Sequence, residues 1–355
     1  MVGTAEIQNK IHIHTNLFSD TATMPTPGMR QFIANAEVGD EQKGTDPTIN
    51  ALTKKVCSLL GKEDAIFLPS GTMCNLIASL VHCSPGDEII CDKTAHTLHY
   101  EAGGSGAIAG ATTYPLDGIN GVFTLEQFET AIRPASRYFS RSRVVLIEQT
   151  SNLGNGSIWP LKSIEEICAR AAELGIARHM DGARLMNAVV ATGISASTYA
   201  AHFDSVWIDF TKNLGAPVGA VLAGSKEFIK EAWNHKQRLG GAMRQAGIIG
   251  AAALYALDNN IERLKEDHDN AKFLATGLAE IKGISVEPVE TNMVFFDVSG
   301  LGITPQEFCQ KLETKGVQVG AIWPSWVRAV THLSVSRAQI EEALEMMQEV
   351  VNDYR

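Results

Sequence analysis

Cysteine is sparse in this chain and its placement offers no framework. Cys57, Cys74, Cys83, Cys91, Cys168 and Cys309 are scattered through 355 residues. They make no Cys-x-x-Cys pair and no Cys/His spacing of the zinc type, so neither a disulfide scaffold nor a structural metal site is expected. Long apolar runs are also missing. The longest, Ala246 to Leu257, is too short for a membrane span, and its glycines and alanines suit a closely packed helix instead. Met1 to Gln8 lacks the basic-then-apolar layout of a signal peptide, so a cytoplasmic protein with reduced thiols is expected. Basic charge is in deficit: 30 Lys and Arg stand against 40 Asp and Glu, a formal net charge of -10. That balance argues against a nucleic-acid or anionic-membrane surface and leaves a small molecule as the expected partner.

What is present is an ordinary globular composition, 45% hydrophobic, enough for one large domain and a smaller one. Apolar strand-like runs alternate with amphipathic helical patterns, which predicts an α/β fold with a mostly parallel sheet. Arg143 to Glu148 reads as a buried strand. Leu161 to Leu174 reads as the next helix, opened by a capping box Ser163-x-x-Glu166. Ile176 to Asp181 and Ser205 to Phe210 follow as strands, and Val218 to Ala223 lies close enough to the latter for a hairpin. Beyond Gly247, charged helices over Asn260 to Ile281 and Ser336 to Tyr354 flank short strands, Met293 to Val298 and Arg328 to Leu333. The expected domains are an N-terminal arm over 1–20, a large domain over 21–247 and a small α+β domain over 248–355. The stretch Thr21 to Asp46, rich in proline and glycine, is expected to wrap as extended arm and loop.

Two residues at the ends of successive strands carry the chemistry. Asp181 closes one apolar run, and Lys212 follows the next about 30 residues later. Pyridoxal phosphate needs one lysine amine for a Schiff base and one carboxylate to keep its pyridine nitrogen protonated. In open α/β sheets, ligands sit outside the carboxyl ends of the strands, where both residues fall. Pro69-Ser70-Gly71-Thr72 opens a helix whose first amides, with the Thr72 hydroxyl, could cradle a phosphate, although Ser-Gly-Thr is also ordinary turn chemistry. His96 and His99 stand at i, i+3. A metal site there lacks a third ligand, and an imidazole stacked on a planar cofactor is the better reading for one of them. Gly104 to Ala109 matches a dinucleotide fingerprint only nominally, because it follows a helical segment rather than a strand. Arg184 and Arg328 are candidates for gripping a substrate carboxylate with a planar guanidinium.

Taken together, the chain closely resembles the low-specificity and allo-threonine aldolases among the pyridoxal-phosphate enzymes of fold type I. The likeness is carried by Ser19 to Thr26, Ala36 to Asp40, Asp46 to Asn50, Pro69 to Asn75, Ala95-His96, His99 to Glu101, Asp181 to Leu185, Leu214 to Gly219, Met243 to Gly247 and Val330 to His332. By that resemblance Lys212 would hold the cofactor and Asp181 would face its ring nitrogen. Gly71 and Thr72 would bind its phosphate, His96 would stack on its ring, and Arg184 would lie near it. Ser19, Arg184 and Arg328 would hold the substrate carboxylate. Arg244 would reach across a subunit interface towards the phosphate of a neighbour, in a homotetramer built from dimers that share active sites.

The implied reaction is cleavage of a β-hydroxy-α-amino acid to glycine and an aldehyde. The alternatives are β-elimination or another substituted amino acid on the same scaffold, and a cofactor-binding protein that has lost catalysis. Three positions depart from the family pattern. Ser151 replaces a histidine near the substrate's side chain, which makes His96 the preferred base for the β-hydroxyl proton. Lys43 replaces a tyrosine and could favour an acidic side chain such as that of 3-hydroxyaspartate, although a loop lysine is more often simply exposed. Asn213 replaces the glycine after Lys212, which suggests an unusual backbone angle there.

Overall fold

The computed structural model describes residues 12–322 and 324–353. A two-residue strand β1 (Thr15–Asn16) comes first, and a seven-stranded sheet follows. Its members are β2 (Asp64–Leu68), β3 (Glu88–Asp92), β4 (Thr112–Leu116), β5 (Ser142–Glu148), β6 (Ala177–Gly182), β7 (Ser205–Asp209) and β8 (Ala220–Gly224). They lie in the order β2-β8-β7-β6-β5-β3-β4. The run β4, β3, β5, β6, β7 is parallel, and β8 is antiparallel to both β7 and β2. Strands β3, β7 and β8 are buried along their whole length, as a parallel sheet covered by helices on both faces requires. The hairpin expected between the strand before Lys212 and the one after it is present, with Ser205 opposite Gly224 and Asp209 opposite Ala220.

A second, antiparallel sheet joins β9 (Ser285–Val286), β10 (Met293–Asp297), β12 (Gly320–Ile322) and β13 (Trp326–Val330) in the order β12-β13-β10-β9. Strand β11 (Val317–Gln318) instead pairs in parallel with β1, so the N-terminal arm, where it is described, lies against the C-terminal unit. Residues 1–11 of the expected arm and Tyr354 of the expected last helix lie outside the described residues. Leu17 belongs to the same core as Ala271, Leu274, Phe296, Phe308 and Met347. The helix Gly247–Asn259 packs into the core of the large sheet, with Ala252, Ala253 and Ala256 fully buried. The small core therefore begins later in the chain than the composition shift at 247.

Two local expectations fail for identifiable reasons. The stretch from Thr21 to Asp46 is not all loop, since Thr26 caps the helix Pro27–Ala34 by accepting from the Met29 amide and Pro27 occupies its first position. The helix Leu161–Glu173 starts directly after Pro160, without a side-chain cap. Ser163 is then already inside the first turn and cannot act as the cap of a capping box.

The loop around Glu41 is tied to the rest of the large unit by buried charge. Lys236 is fully buried over the Trp233 ring and pairs with Glu41, which also accepts from the Met243 amide. Removing one member of such a pair leaves the other charge buried and unmatched. Lys236→Met is therefore expected to destabilise the protein by about 3–5 kcal/mol, read as a lower urea midpoint in equilibrium unfolding. A midpoint equal to that of the wild type would show that the pair does not hold this loop.

Candidate active site

The carboxyl ends of β5, β6 and β7 converge with the N-terminus of the helix Gly71–His82. Ser70 caps that helix through the Met73 amide, which leaves the Gly71 and Thr72 amides outside the intrahelical ladder and open to an anion. Gly71 is required by packing. A Cβ there would lie 2.2 Å from the Trp207 ring, so only glycine lets the helix start rest on that indole.

One turn along the same helix, Asn75 organises the buried polar groups. Its Nδ2 donates to Asp181 Oδ2 at 2.8 Å and to Glu101 Oε1 at 2.7 Å. Its Oδ1 accepts from Trp207 Nε1 at 2.7 Å and from His179 Nε2 at 3.1 Å. Trp207 has only a donor to offer, so the amide orientation is fixed. The remaining bonds then run one way, from His82 Nε2 to Ser205 Oγ and from Ser205 Oγ to His179 Nδ1. His179, which must accept at Nδ1 and donate at Nε2, is neutral in this arrangement, and burial with the nearby His82 brings its pKa down to about 3, while burial brings that of His82 down to about 4. Asp181 is completed by the Ala183 amide at 3.1 Å.

His96 lies at the start of the short helix His96–His99 with its Nδ1 2.8 Å from Glu101 Oε1. Burial alone would lower its pKa, but the Glu101 hydrogen bond and the Asp181 charge outweigh it, so the imidazole is raised. Glu101 is raised as well, by burial and by Asp181, against its bonds from His96 and Asn75. Glu148, at the end of β5, accepts from the His96 amide at 2.8 Å and the Asn152 amide at 2.9 Å. Burial and the neighbouring Asp181 charge push it up to about 7. His99 turns away and bonds the Lys93 carbonyl. Among the described residues no group of His, Cys, Asp and Glu is arranged to hold a metal ion.

A cavity of about 370 Å³ opens between the two units, walled by Ser19, His96, Asn152, Arg184, Lys212 and Arg328 among others. Five of the sequence candidates line it, and a sixth, Asp181, is linked to His96 on its wall through Asn75 and Glu101. Arg184 is not free. Its Nε and Nη2 grip both oxygens of Asp20 at 2.7 and 2.8 Å, and the pair is fully buried. Burial works against the Asp20 charge, but the charge and hydrogen bonds of Arg184, with Lys212 and Arg328, hold the carboxyl well below the usual range. Arg328 donates from Nη1 to Asn152 Oδ1 at 2.8 Å, and its buried Nε has no protein partner. Burial and the like charge of Arg184 lower its pKa, so an anion between the two would relieve both effects. The Ser19 hydroxyl accepts from the Thr21 amide and hydroxyl.

Three expected site residues lie elsewhere in this single chain. Ser151 is buried against Gly121 and Gly154, where its Oγ fills the space a Cβ would need, and it does not line the cavity. Lys43 is exposed on the turn Glu41–Lys43, and Arg244 is exposed and pairs with Asp40 at 3.0 Å. Asn213 needs no unusual backbone: it is absent from the non-glycine residues with positive φ, Ala102, Asn120 and Asn155. Its side chain matters instead, donating to Asp267 Oδ2 at 2.9 Å and accepting from Asn292 Nδ2 at 3.1 Å. Asp20, Asn75, Glu101 and Glu148 were given no role by sequence reasoning, although each lies in or beside a recognised motif. Asp209, whose Oδ2 lies 3.0 Å from Lys212 Nζ, is a further such residue, and Asp-x-x-Lys is its signal.

These features fit pyridoxal phosphate: bare helix-start amides beside Trp207, a buried carboxylate on the next strand, and an imidazole and a lysine on the cavity wall. The Glu101 contact can be tested without any ligand. By side-chain NMR, the His96 ring is expected to titrate above the ordinary imidazole value. Glu101→Gln should move that midpoint to lower pH, and an unchanged midpoint would remove Glu101 as the cause.

Comparison with known proteins agrees with the geometry. The profile of the family described as beta-eliminating lyase matches residues 16–300. The low specificity L-threonine aldolase of Escherichia coli (strain K12) is 40% identical over 328 residues, covering 92% of this chain and 96% of that one. The solved structure of Leishmania major threonine aldolase superposes with a TM-score of 0.82 at 21% identity, over 95% of this chain and 99% of its own. A structure of SPT with PLP gives a TM-score of 0.72 at 17% identity, over 96% and 87%. The chain belongs to the beta-eliminating lyase family, and its fold is that of the fold type I pyridoxal-phosphate enzymes.

Proposed function

We propose that this protein is a pyridoxal-phosphate aldolase that cleaves threonine, allo-threonine or a related β-hydroxy-α-amino acid to glycine and an aldehyde. The observation that carries the reading is the meeting of Lys212, His96, Arg184 and Arg328 on one cavity, with Asp181 held by Asn75 in the hydrogen-bond network that reaches His96. The relatives named threonine aldolase support it over most of the chain's length. When bound, the cofactor supplies a protonated ring that accepts the electrons of the breaking carbon–carbon bond.

The chain's own residues do the rest. Lys212 would anchor the cofactor covalently, Asp181 would keep its ring nitrogen protonated, and the Gly71 and Thr72 amides would take its phosphate. Arg328, whose buried Nε is unpartnered, binds the substrate carboxylate with Ser19 beside it. Arg184 contributes mainly by holding Asp20, and with it the adjoining Ser19. The Nε2 of His96 takes the β-hydroxyl proton, and Nδ1 stays with Glu101. Ser151, set behind the wall, leaves His96 as the base. Arg244 and Lys43, both exposed in one chain, would act at the site of a neighbouring subunit in a homotetramer of paired dimers. The six free cysteines accord with a cytoplasmic enzyme.

A second reading, β-elimination, is favoured by the description of the matching family. Incubation with threonine, allo-threonine, phenylserine and 3-hydroxyaspartate separates the two. Aldehyde with equimolar glycine is the expected result, and ammonia with a keto acid would overturn it. His96→Ala should lower kcat about 10²–10⁴-fold, whereas near-normal turnover would move the base elsewhere.

A further inference from the structure

Asp209 has no task in the scheme above. It ends β7 on the face that carries Ser205 and Trp207, because side chains alternate along a strand. That is the face on which Trp207 underlies Gly71 and meets Asn75. The Asp209 side chain is only 5% exposed, and its two oxygens have separate partners. Oδ1 accepts from the Thr211 amide at 2.9 Å and the Thr211 hydroxyl at 2.8 Å, and Oδ2 lies 3.0 Å from Lys212 Nζ. The turn thus fixes the carboxylate independently of the lysine. The other cations on the cavity wall have different partners: Asp20 for Arg184, Glu101 for His96, and Asn152 with the Phe18 carbonyl for Arg328.

We propose that Asp209 is a positioning residue that receives the Lys212 ammonium each time an amino acid takes the lysine's place on the cofactor. The proposal rests on Lys212 being the covalent anchor. The exchange balances without any added reagent. The substrate nitrogen forms its bond to the cofactor carbon, the bond from that carbon to Lys212 Nζ breaks, and the protons shed by the substrate ammonium pass to the lysine. One ammonium enters and one forms. It forms in a largely buried place, where an unmatched charge is costly and a charge-assisted hydrogen bond is about twice as strong as a neutral one. Asp209 waits at that point and draws the exchange towards the substrate-bound side.

Asp209→Asn tests this cleanly, since its amide oxygen can keep both Thr211 bonds while its NH₂ faces the lysine donor to donor. Glycine, which cannot be cleaved, is titrated into the holoenzyme while the absorbance of the lysine-bound cofactor is followed. The apparent dissociation constant is expected to rise about 10- to 100-fold. Cofactor retention on dialysis and the thermal midpoint should remain those of the wild type, and Asp209→Glu should restore most of the glycine affinity. A merely structural role would lower retention, thermal midpoint and glycine affinity together. An unchanged glycine titration in Asp209→Asn, or joint loss of cofactor and fold in both variants, overturns the proposal. A wild-type protein that shows no lysine-bound absorbance after cofactor addition overturns the Lys212 reading instead.

Discussion

Buried carboxylates that must each find a donor or a counter-charge govern the arrangement of this protein. Asp20, Glu101, Glu148, Asp181 and Asp209 lie within reach of the same strand ends, all with little solvent. Such a concentration of negative charge is tolerable only where it is matched group by group. Arg184 answers Asp20, Lys212 answers Asp209, and His96 shares Glu101 with Asn75. Glu148 is answered by two backbone amides, and burial with the Asp181 charge pushes it up to about 7. The same matching positions the chemistry. Glu148 holds the His96 and Asn152 backbones, and Asn152 in turn orients Arg328.

The two cores meet at this charge system. Asn213, next to the anchoring lysine, bonds Asp267 of the helix Leu264–Ala279, and Asn292 bonds Asn213 and the Thr331 carbonyl. Asp267 is closed from its other side by Arg263. The lysine loop is therefore fastened to the C-terminal unit, whose strand β13 presents Arg328 to the cavity. A substrate held between Arg328 and Lys212 would contact both units at once, so the relative placement of the two cores bears directly on reactivity.

Much of this was legible in the sequence because it depends on local rules. The alternation of apolar runs and amphipathic helices predicts the parallel sheet, and the end of an apolar run places Asp181 and Lys212 at strand termini. Residue chemistry nominates Arg184, Arg328 and one of His96 and His99, the resemblance singles out His96, and His96, Arg184 and Arg328 all line the cavity. What stayed hidden depends on which side chains meet across long sequence separations. Arg184 reads as a free carboxylate grip until Asp20, far away in sequence, is seen closing on it. Asn213 reads as a backbone effect until Asp267 is seen opposite its amide. Asn75 is one polar residue in a helical pattern, and only the convergence of Trp207 and His179 on its oxygen reveals why its nitrogen faces two carboxylates. Ser151 and Lys43 were judged by position in a motif, and packing decides where they point.

The central claim is that Lys212 is the lysine this cavity is built around. Its most direct test is to load the purified protein with pyridoxal phosphate, reduce it with borohydride and map the modified peptide by mass spectrometry. The account predicts a pyridoxyl group on Lys212, close to one per chain, and none above background in Lys212→Ala. Modification spread over surface lysines, or a single site at another lysine, would contradict it.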